Sequence, residues 1–463
     1  VAGAVGRVTW RARAAWRWRA AWRWRMAWRA RWRNDDVAVA GDAAGVVGRM
    51  TWLVRVLACA TVFVAPLEGY LLQAHGHLAK APSALLVLAW AVLRVRERRA
   101  PEPHPAHVVL AALAVVLLAS SAVHAGGAYT ADYALRWLPF LVVTVVLIDV
   151  AAREVSIRAV LAATVAGAVV AAVGALLGMV AEGQTRAAGP LEDPNDLAYF
   201  LVAALPLLVA LRHGGRSAAM PGGPTAVLPG ATAGGVTKAV VLPAAAAVVL
   251  AVGAAATFSR GGALALTAAV AWLLVRRAVP LKALAGGVAA LAVLGVAAVL
   301  FAGPELDRAV REKTHVAETN VDTRELRWQA AARMVAEHPA LGVGPGGFRE
   351  GYPAASNNAE IDEQTPVAHN MYLEVAAELG VPGFALFVAL LALTAVTSER
   401  VRRTTTDPLP VVAVQASLIA VVVASTFLSQ QYYLPLWSLV AVVAAADLRL
   451  RRASDVACAP RDQ

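Results

Sequence analysis

A run of apolar residues near 20 long returns again and again along this chain, and it limits the possible folds more than any other feature. Helix at about 1.5 Å per residue crosses roughly 30 Å of hydrocarbon in about 20 residues. Within lipid only helices or closed barrels satisfy the backbone. The runs therefore predict an all-α polytopic membrane protein with about twelve spans. They lie near residues 52–72, 78–93, 106–123, 133–151, 157–181, 196–211, 237–257, 261–275, 282–302, 380–397, 409–428 and 432–448. With 59% hydrophobic and 16% charged residues, the 463-residue chain does not read as the roughly three soluble domains its length would suggest. Its two cysteines, Cys59 and Cys458, fall in the first span and the tail, with no zinc or CxxC spacing.

The net charge of +11 is misleading, because ten arginines and seven tryptophans crowd into residues 1–33. There Trp16, Trp22 and Trp28 repeat every six residues, each followed by arginine. Six residues turn a helix by about 240°, so no single amphipathic face forms. A membrane-surface or nucleic-acid arm is one reading; a translated tandem repeat ahead of a start at Met26 or Met50 is the better one. Residues 1–50 are therefore set apart as a low-complexity leader, and nucleic acid is not an expected partner.

Positive charge orients the rest. Alternate short loops and the tail carry 19 basic residues, among them Arg94, Arg153, Arg212, Arg276, Arg400 and Arg449. The opposite short loops hold only Lys80, Arg186 and Arg260. Both termini are thus expected in the cytoplasm. Residues 51–302 would form spans one to nine, 303–368 a large extracytoplasmic loop, 369–448 spans ten to twelve, and 449–463 a cytoplasmic tail. Inside the large loop, "DTRELRWQAAARMVAEHP" predicts an amphipathic helix with Asp322 as N-cap, Glu325 completing a capping box and Pro339 as stop. Leu326, Ala330, Met334 and Val335 share its buried face, against membrane or bundle.

Polar residues able to do chemistry gather on the outer side. Arg260, in "TFSRGGALAL", stands between two apolar segments, where an arginine must be solvated, snorkelling or paired. Arg324 and Arg327 lie one turn apart and could present guanidinium forks to phosphate. In "HNMYLEVAAELGVPG", Asn370 can cap a helix, placing His369 at its positive end, where imidazole tends to stay neutral and able to accept a proton. Glu374 and Glu378 share a face, as a solvated stripe or as groups that position substrate. In "GPLEDPNDLAYFL", Asn195 or Asp196 can cap the next helix, and Glu192, Asp193 and Asp196 form an acidic cluster. "GVGPGG" matches a dinucleotide fingerprint but follows a helix and a proline, so it reads as a flexible turn. No metal site is expected: His75 and His77 lack partners, and His104 and His107 fall on the other side.

Together and in order, these motifs resemble the O-antigen ligase and O-antigen polymerase superfamily over roughly residues 186–400. "HN" followed after nine residues by "GVPG" resembles its histidine motif, "RGGAL" its Arg-x-x-x-Leu motif, and "TRELRW" with "HPALGVGPGGF" its external-loop signature. "GPLEDPNDLA" resembles a loop element ahead of a span. The resemblance implies a GT-C-like glycosyltransferase, without metal or other cofactor, that moves a glycan from a polyprenyl-diphosphate carrier to an acceptor hydroxyl outside the cytoplasmic membrane. It implies that Arg260 and Arg324 hold the diphosphate, with Arg327 as competitor, and that His369 serves the acceptor. Asn370, Glu374 and Asn195 join the expected substrate-binding set. Physical chemistry agrees. No nucleotide is available outside, so the sugar must arrive activated on lipid, and guanidiniums can stabilise the departing diphosphate. In-line attack would invert the anomeric centre. The acceptor stays open among glycolipid, glycan and protein. A transporter or flippase of lipid-linked glycans would also set arginines against diphosphate, but such proteins carry internal repeats and mid-membrane polar residues.

Overall fold

The computed structural model describes residues 40–457, except 192, 213–232, 284, 290–291, 294–295, 297–322, 361–362 and 364–365, and for 40–46, 233–241 and 456–457 the backbone alone. Every regular element among the described residues is helical. In chain order these are α1 (Ala40–Val64), α2 (Glu68–Ala74), α3 (Ala81–Glu97), α4 (Pro105–Val123), α5 (Thr130–Arg153) and α6 (Ile157–Glu182). They continue with α7 (Pro194–Ala204), α8 (Leu207–Arg212), α9 (Ala233–Ala256), α10 (Arg260–Val275) and α11 (323–337). The last are α12 (Gly347–Ala355), α13 (Met371–Thr404), α14 (Leu409–Ala424) and α15 (Leu434–Ala457).

Six stretches among the described residues are long and apolar enough to cross a membrane: Val47–Ala74, Pro105–Val123, Thr130–Arg153, Ile157–Glu182, Pro194–Arg212 and Met371–Thr404. Leu242–Ala256, Arg260–Val275 and Leu409–Ala424 are shorter apolar helices. Among the described residues, six of the expected twelve or so meet that length and composition. The segment expected at 282–302 and the leader at 1–50 lie partly outside the described residues, and Asp322 lies wholly outside them.

Packing sets α3 along α1 and also joins helices remote in sequence: α15 lies along α5, α4 along α13, and α10 along α14. Trp137 of α5, Phe387 of α13 and Trp437 of α15 are fully buried and meet edge to face at 6.0–6.4 Å between ring centres. Such pairs add about 0.5–1.5 kcal/mol each beyond area burial. Trp137 then meets Tyr432 at 5.7 Å, and Tyr432 meets Tyr133 at 5.4 Å, so the aromatic core runs out to one end of the bundle.

Several loops gather at each of two ends of the bundle. At the arginine-rich end, Arg94 pairs with Asp149 at 2.5 Å and Glu154 at 3.0 Å. Arg449 donates to the carbonyls of Ala151 and Val155, and Arg452 to that of Ala152, closing the last turn of α5. The connection before α7, the α9–α10 turn, the start of α13 and the α14–α15 loop meet at the other end.

The helix expected to span 380–397 begins earlier, at Met371, and breaks at Gly380, which has φ 67° and ψ −173°. The break frees backbone groups that lipid could not satisfy. The Gly-rich segment supplies partners: Val343 N–H donates to the Ala377 carbonyl at 2.9 Å and Gly344 N–H to that of Glu378 at 3.1 Å. The Pro339 carbonyl accepts from Val381 N–H at 2.8 Å. Gly342, Gly344 and Gly346 all have positive φ. "GVGPGG" is thus a fitted plug in a broken helix rather than a flexible turn.

Candidate functional site

The same backbone device delivers both motif residues at the His369 end. Phe258 (φ 49°) precedes Ser259, whose side chain caps α10 by accepting from Gly262 N–H, so Arg260 is the first helical residue. His369 (φ 49°) precedes Asn370, whose Oδ1 caps α13 by accepting from Tyr372 N–H at 3.1 Å and Leu373 N–H at 3.2 Å. A left-handed non-glycine residue is sparsely populated and persists only where its surroundings hold it. The Asn370 cap is as expected, and it commits the amide oxygen to the backbone.

The α14–α15 loop, residues 425–433, holds these two helix starts together. Met371 N–H donates to the carbonyls of Ser425 and Leu428, each at 2.9 Å. A Cβ on Gly261, beside Arg260, would lie 3.1 Å from the Phe427 Cβ. Gln430 Nε2 donates to Asp196 at 2.6 Å, and Tyr433 OH donates to the same carboxylate at 2.8 Å. Asp193, not Asn195 or Asp196, caps α7: its Oδ1 accepts from Asn195 N–H at 2.7 Å and from Asn195 Nδ2 at 3.0 Å. Pro194 at the first helical position makes that choice natural, since it fixes φ and needs no partner. Arg186 and Ala187 tie the preceding connection to the carbonyls of Thr257 and Ala256, each at 2.9 Å.

Helix α11 packs Ala330 and Met334 against Phe348 and Tyr352 of α12 and against Ala368 and Ala377. Its amphipathic face therefore meets protein. Here the two candidate arginines part company. Arg327 is buried and saturated: Nε and Nη2 each donate to Glu360 at 3.0 Å, Nη2 to Glu363 at 2.9 Å, and Nη1 to the Val367 carbonyl at 3.3 Å. Burial disfavours its charge, but the two carboxylates outweigh that and raise its pKa. Tyr352 OH also bonds Glu360, whose carboxylate closes the cluster. Arg324, half-buried, forms no ion pair or hydrogen bond among the described residues. Burial lowers its pKa, Asp193 opposes that, and Arg327 adds to it.

His369 is half-buried within the fields of Arg324, Arg327, Asp193 and Glu374. Burial, then the two guanidiniums, push its pKa down to about 4, with Asp193 and Glu374 pulling the other way. The imidazole is neutral near pH 7 and can accept a proton. Arg260 is exposed at its helix start.

Glu374 and Glu378 do not form a solvated stripe: both are fully buried. Arg349, a residue that sequence reasoning passed over, lies between them, with Nη1 at 3.4 Å from Glu374 and 3.5 Å from Glu378. It also lies over the Tyr133 ring at 4.2 Å. Burial works against its charge, but the glutamates prevail and its pKa rises. The 429–431 stretch was missed as well. Its polar "SQQ" was the available signal, hidden between spans expected to end at 428 and resume at 432. Among the described residues, no group of three or more His, Cys, Asp or Glu side chains gathers as a metal site.

Comparison with known families matches residues 245–388 to the model described as O-antigen ligase. Comparison with curated proteins gives no match. The matched stretch runs from α9 to the middle of α13 and takes in Arg260, Arg324, the Gly-rich plug and His369. Residues 245–388 are thus similar to the O-antigen ligase family, and that likeness covers the part of the chain that holds the candidate site.

Proposed function

We propose that the protein transfers a glycan from a polyprenyl-diphosphate carrier to an acceptor hydroxyl at the extracytoplasmic face. Arg324 carries this reading. It is a guanidinium without a protein partner among the described residues, held by a packed helix within the field of a neutral histidine. A cation so placed suits an anion that arrives with substrate, and a guanidinium binds phosphate oxygens bidentately. Arg260, at the neighbouring helix start beside the 425–433 loop, serves the same diphosphate. Arg327 holds the external loop instead, because its donors are already taken.

The acceptor oxygen attacks the anomeric carbon, and the bond to the carrier's phosphate oxygen breaks. The bonding pair leaves with the diphosphate, which the two guanidiniums stabilise without a metal, and the acceptor proton passes to His369. Attack opposite the leaving group inverts the anomeric centre.

The test is transfer by purified protein from an undecaprenyl-diphosphate-linked oligosaccharide, with chelator present. Arg324→Ala is expected to lower kcat/KM by about 10²-fold or more, the scale of losing one preorganised charge donor. Arg324→Lys should recover only part, since an ammonium lacks the fork. Equal activity of Arg324→Ala and wild type would remove Arg324 from the donor site.

A further inference from the structure

We propose that Glu374 is a positioning residue that holds His369 in its working conformation through the Ala368 peptide and links it to the external loop through Arg349. The role rests on the transfer reading above, with His369 as the base. Glu374 is fully buried, and four donors from three separate segments converge on its carboxylate. Oε2 accepts from Ala368 N–H at 3.1 Å and from the Ser429 hydroxyl. Oε1 accepts from Gln431 Nε2 at 2.9 Å and from Arg349 Nη1 at 3.4 Å.

A carboxylate offers about four lone-pair sites. All four are occupied, so Glu374 does not reach substrate as the sequence suggested. Its partners define its task. Ala368 immediately precedes the left-handed His369, and the bond to its N–H runs from a residue one helical turn beyond the Asn370 cap. Asn370 caps the turn after the histidine, while before it Glu374 holds the Ala368 N–H and Trp328 Nε1 holds the Ala368 carbonyl at 3.0 Å, so the strained conformation is pinned from both sides. Arg349 lies on α12, joined to the Arg324 helix by the Gly-rich plug. Ser429 and Gln431 belong to the loop beside Arg260. One buried carboxylate thus sets the spacing between donor-side cations and acceptor-side base.

The experiment is a double-mutant cycle on the full-length protein in detergent, paired with diethylpyrocarbonate labelling of His369 read by mass spectrometry against exposed His77. Glu374→Gln keeps the shape but sets an NH2 against one of these donors. It is expected to lower kcat at least 10-fold with the donor KM unchanged, and to add nothing to the residual activity of His369→Ala. Labelling of His369 should quicken at least fivefold. Ser429→Ala, which keeps the carboxylate, should move both readouts the same way by about two- to fivefold, and decides the matter if Glu374→Gln does not accumulate. Multiplying losses in the double variant, or labelling at the wild-type rate, would overturn the role. A wild type silent with the donor would sink the transfer reading instead, and the labelling ratio would still decide for Glu374.

Discussion

His369→Gln is expected to lower glycan transfer by about 10²–10⁴-fold at pH 7, the range for loss of a positioned general base. Donor binding should stay near wild type, because the diphosphate contacts assigned to Arg260 and Arg324 are untouched. Retained transfer in His369→Gln would reduce the histidine to a backbone element of the helix start.

The pH profile gives a sharper form of the same prediction. In the free protein the imidazole pKa stands at about 4, below its ordinary 6.5, because of burial and the fields of Arg324 and Arg327. The profile of kcat/KM, which reports free-enzyme groups, should therefore be flat through neutrality and fall only as pH drops towards about 4. A bound diphosphate would neutralise Arg324 and remove part of the repulsion, so the imidazole becomes more basic in the complex. The acid limb of kcat should then lie at higher pH than that of kcat/KM. Arg324→Gln should raise the free-protein limb as well, since it deletes the same repulsion. Coincident limbs in the wild type would break the link between the two residues. The sign for stability follows from the same shift. Between about pH 4 and 6.5 the unfolded chain binds the proton that the folded chain refuses. The contribution is complete above 6.5 and is lost as pH falls through 4.

The sequence made the all-helical fold and its long apolar helices legible because lipid imposes a coarse rule: long apolar runs. Arg260, Arg324 and His369 were visible as charged or titratable groups beside apolar helices, where polarity calls for an explanation. The kink was less so. "ELGVPG" puts Gly380 in an otherwise helical pattern, and the docked 339–344 segment, with the Ser120 hydroxyl, supplies the missing backbone partners. The fate of Glu374 and Glu378 was not legible either. A spacing of four puts them on one face, but Arg349, remote in sequence, and the 425–433 loop decide whether that face meets water. Arg324 and Arg327 look equivalent until Glu360 and Glu363 claim one of them. Pairings of this kind depend on tertiary closure, which local pattern does not encode.

Gly342→Ala is expected to abolish most folded protein although Gly342 touches no proposed substrate group. Its φ is +66°, and an added Cβ would lie 2.3 Å from the Ala377 carbonyl oxygen and 2.4 Å from the Glu378 carbonyl carbon. These neighbours are backbone, so no side chain can swing aside. A left-handed alanine costs about 1–2 kcal/mol. Pushing the plug out would strip the Ala377 carbonyl of Val343 and leave the Glu378 carbonyl only the Ser120 hydroxyl at 3.3 Å, at about 1–3 kcal/mol for a buried group left unmade. The total is a large part of the roughly 5–15 kcal/mol that separates folded from unfolded states. Gly76→Ala is the control, because nothing lies within 4 Å of the Cβ it would add. It should stay within about 0.5 kcal/mol of wild type. Fluorescence-detected size exclusion and thermal unfolding of the two variants side by side read the difference. A monodisperse Gly342→Ala protein with a wild-type melting temperature would mean that the Gly-rich plug can leave the kink at little cost. The α13 break would then need another source of backbone partners, and the rigid link from Arg324 to Glu374 and His369 would be lost with it.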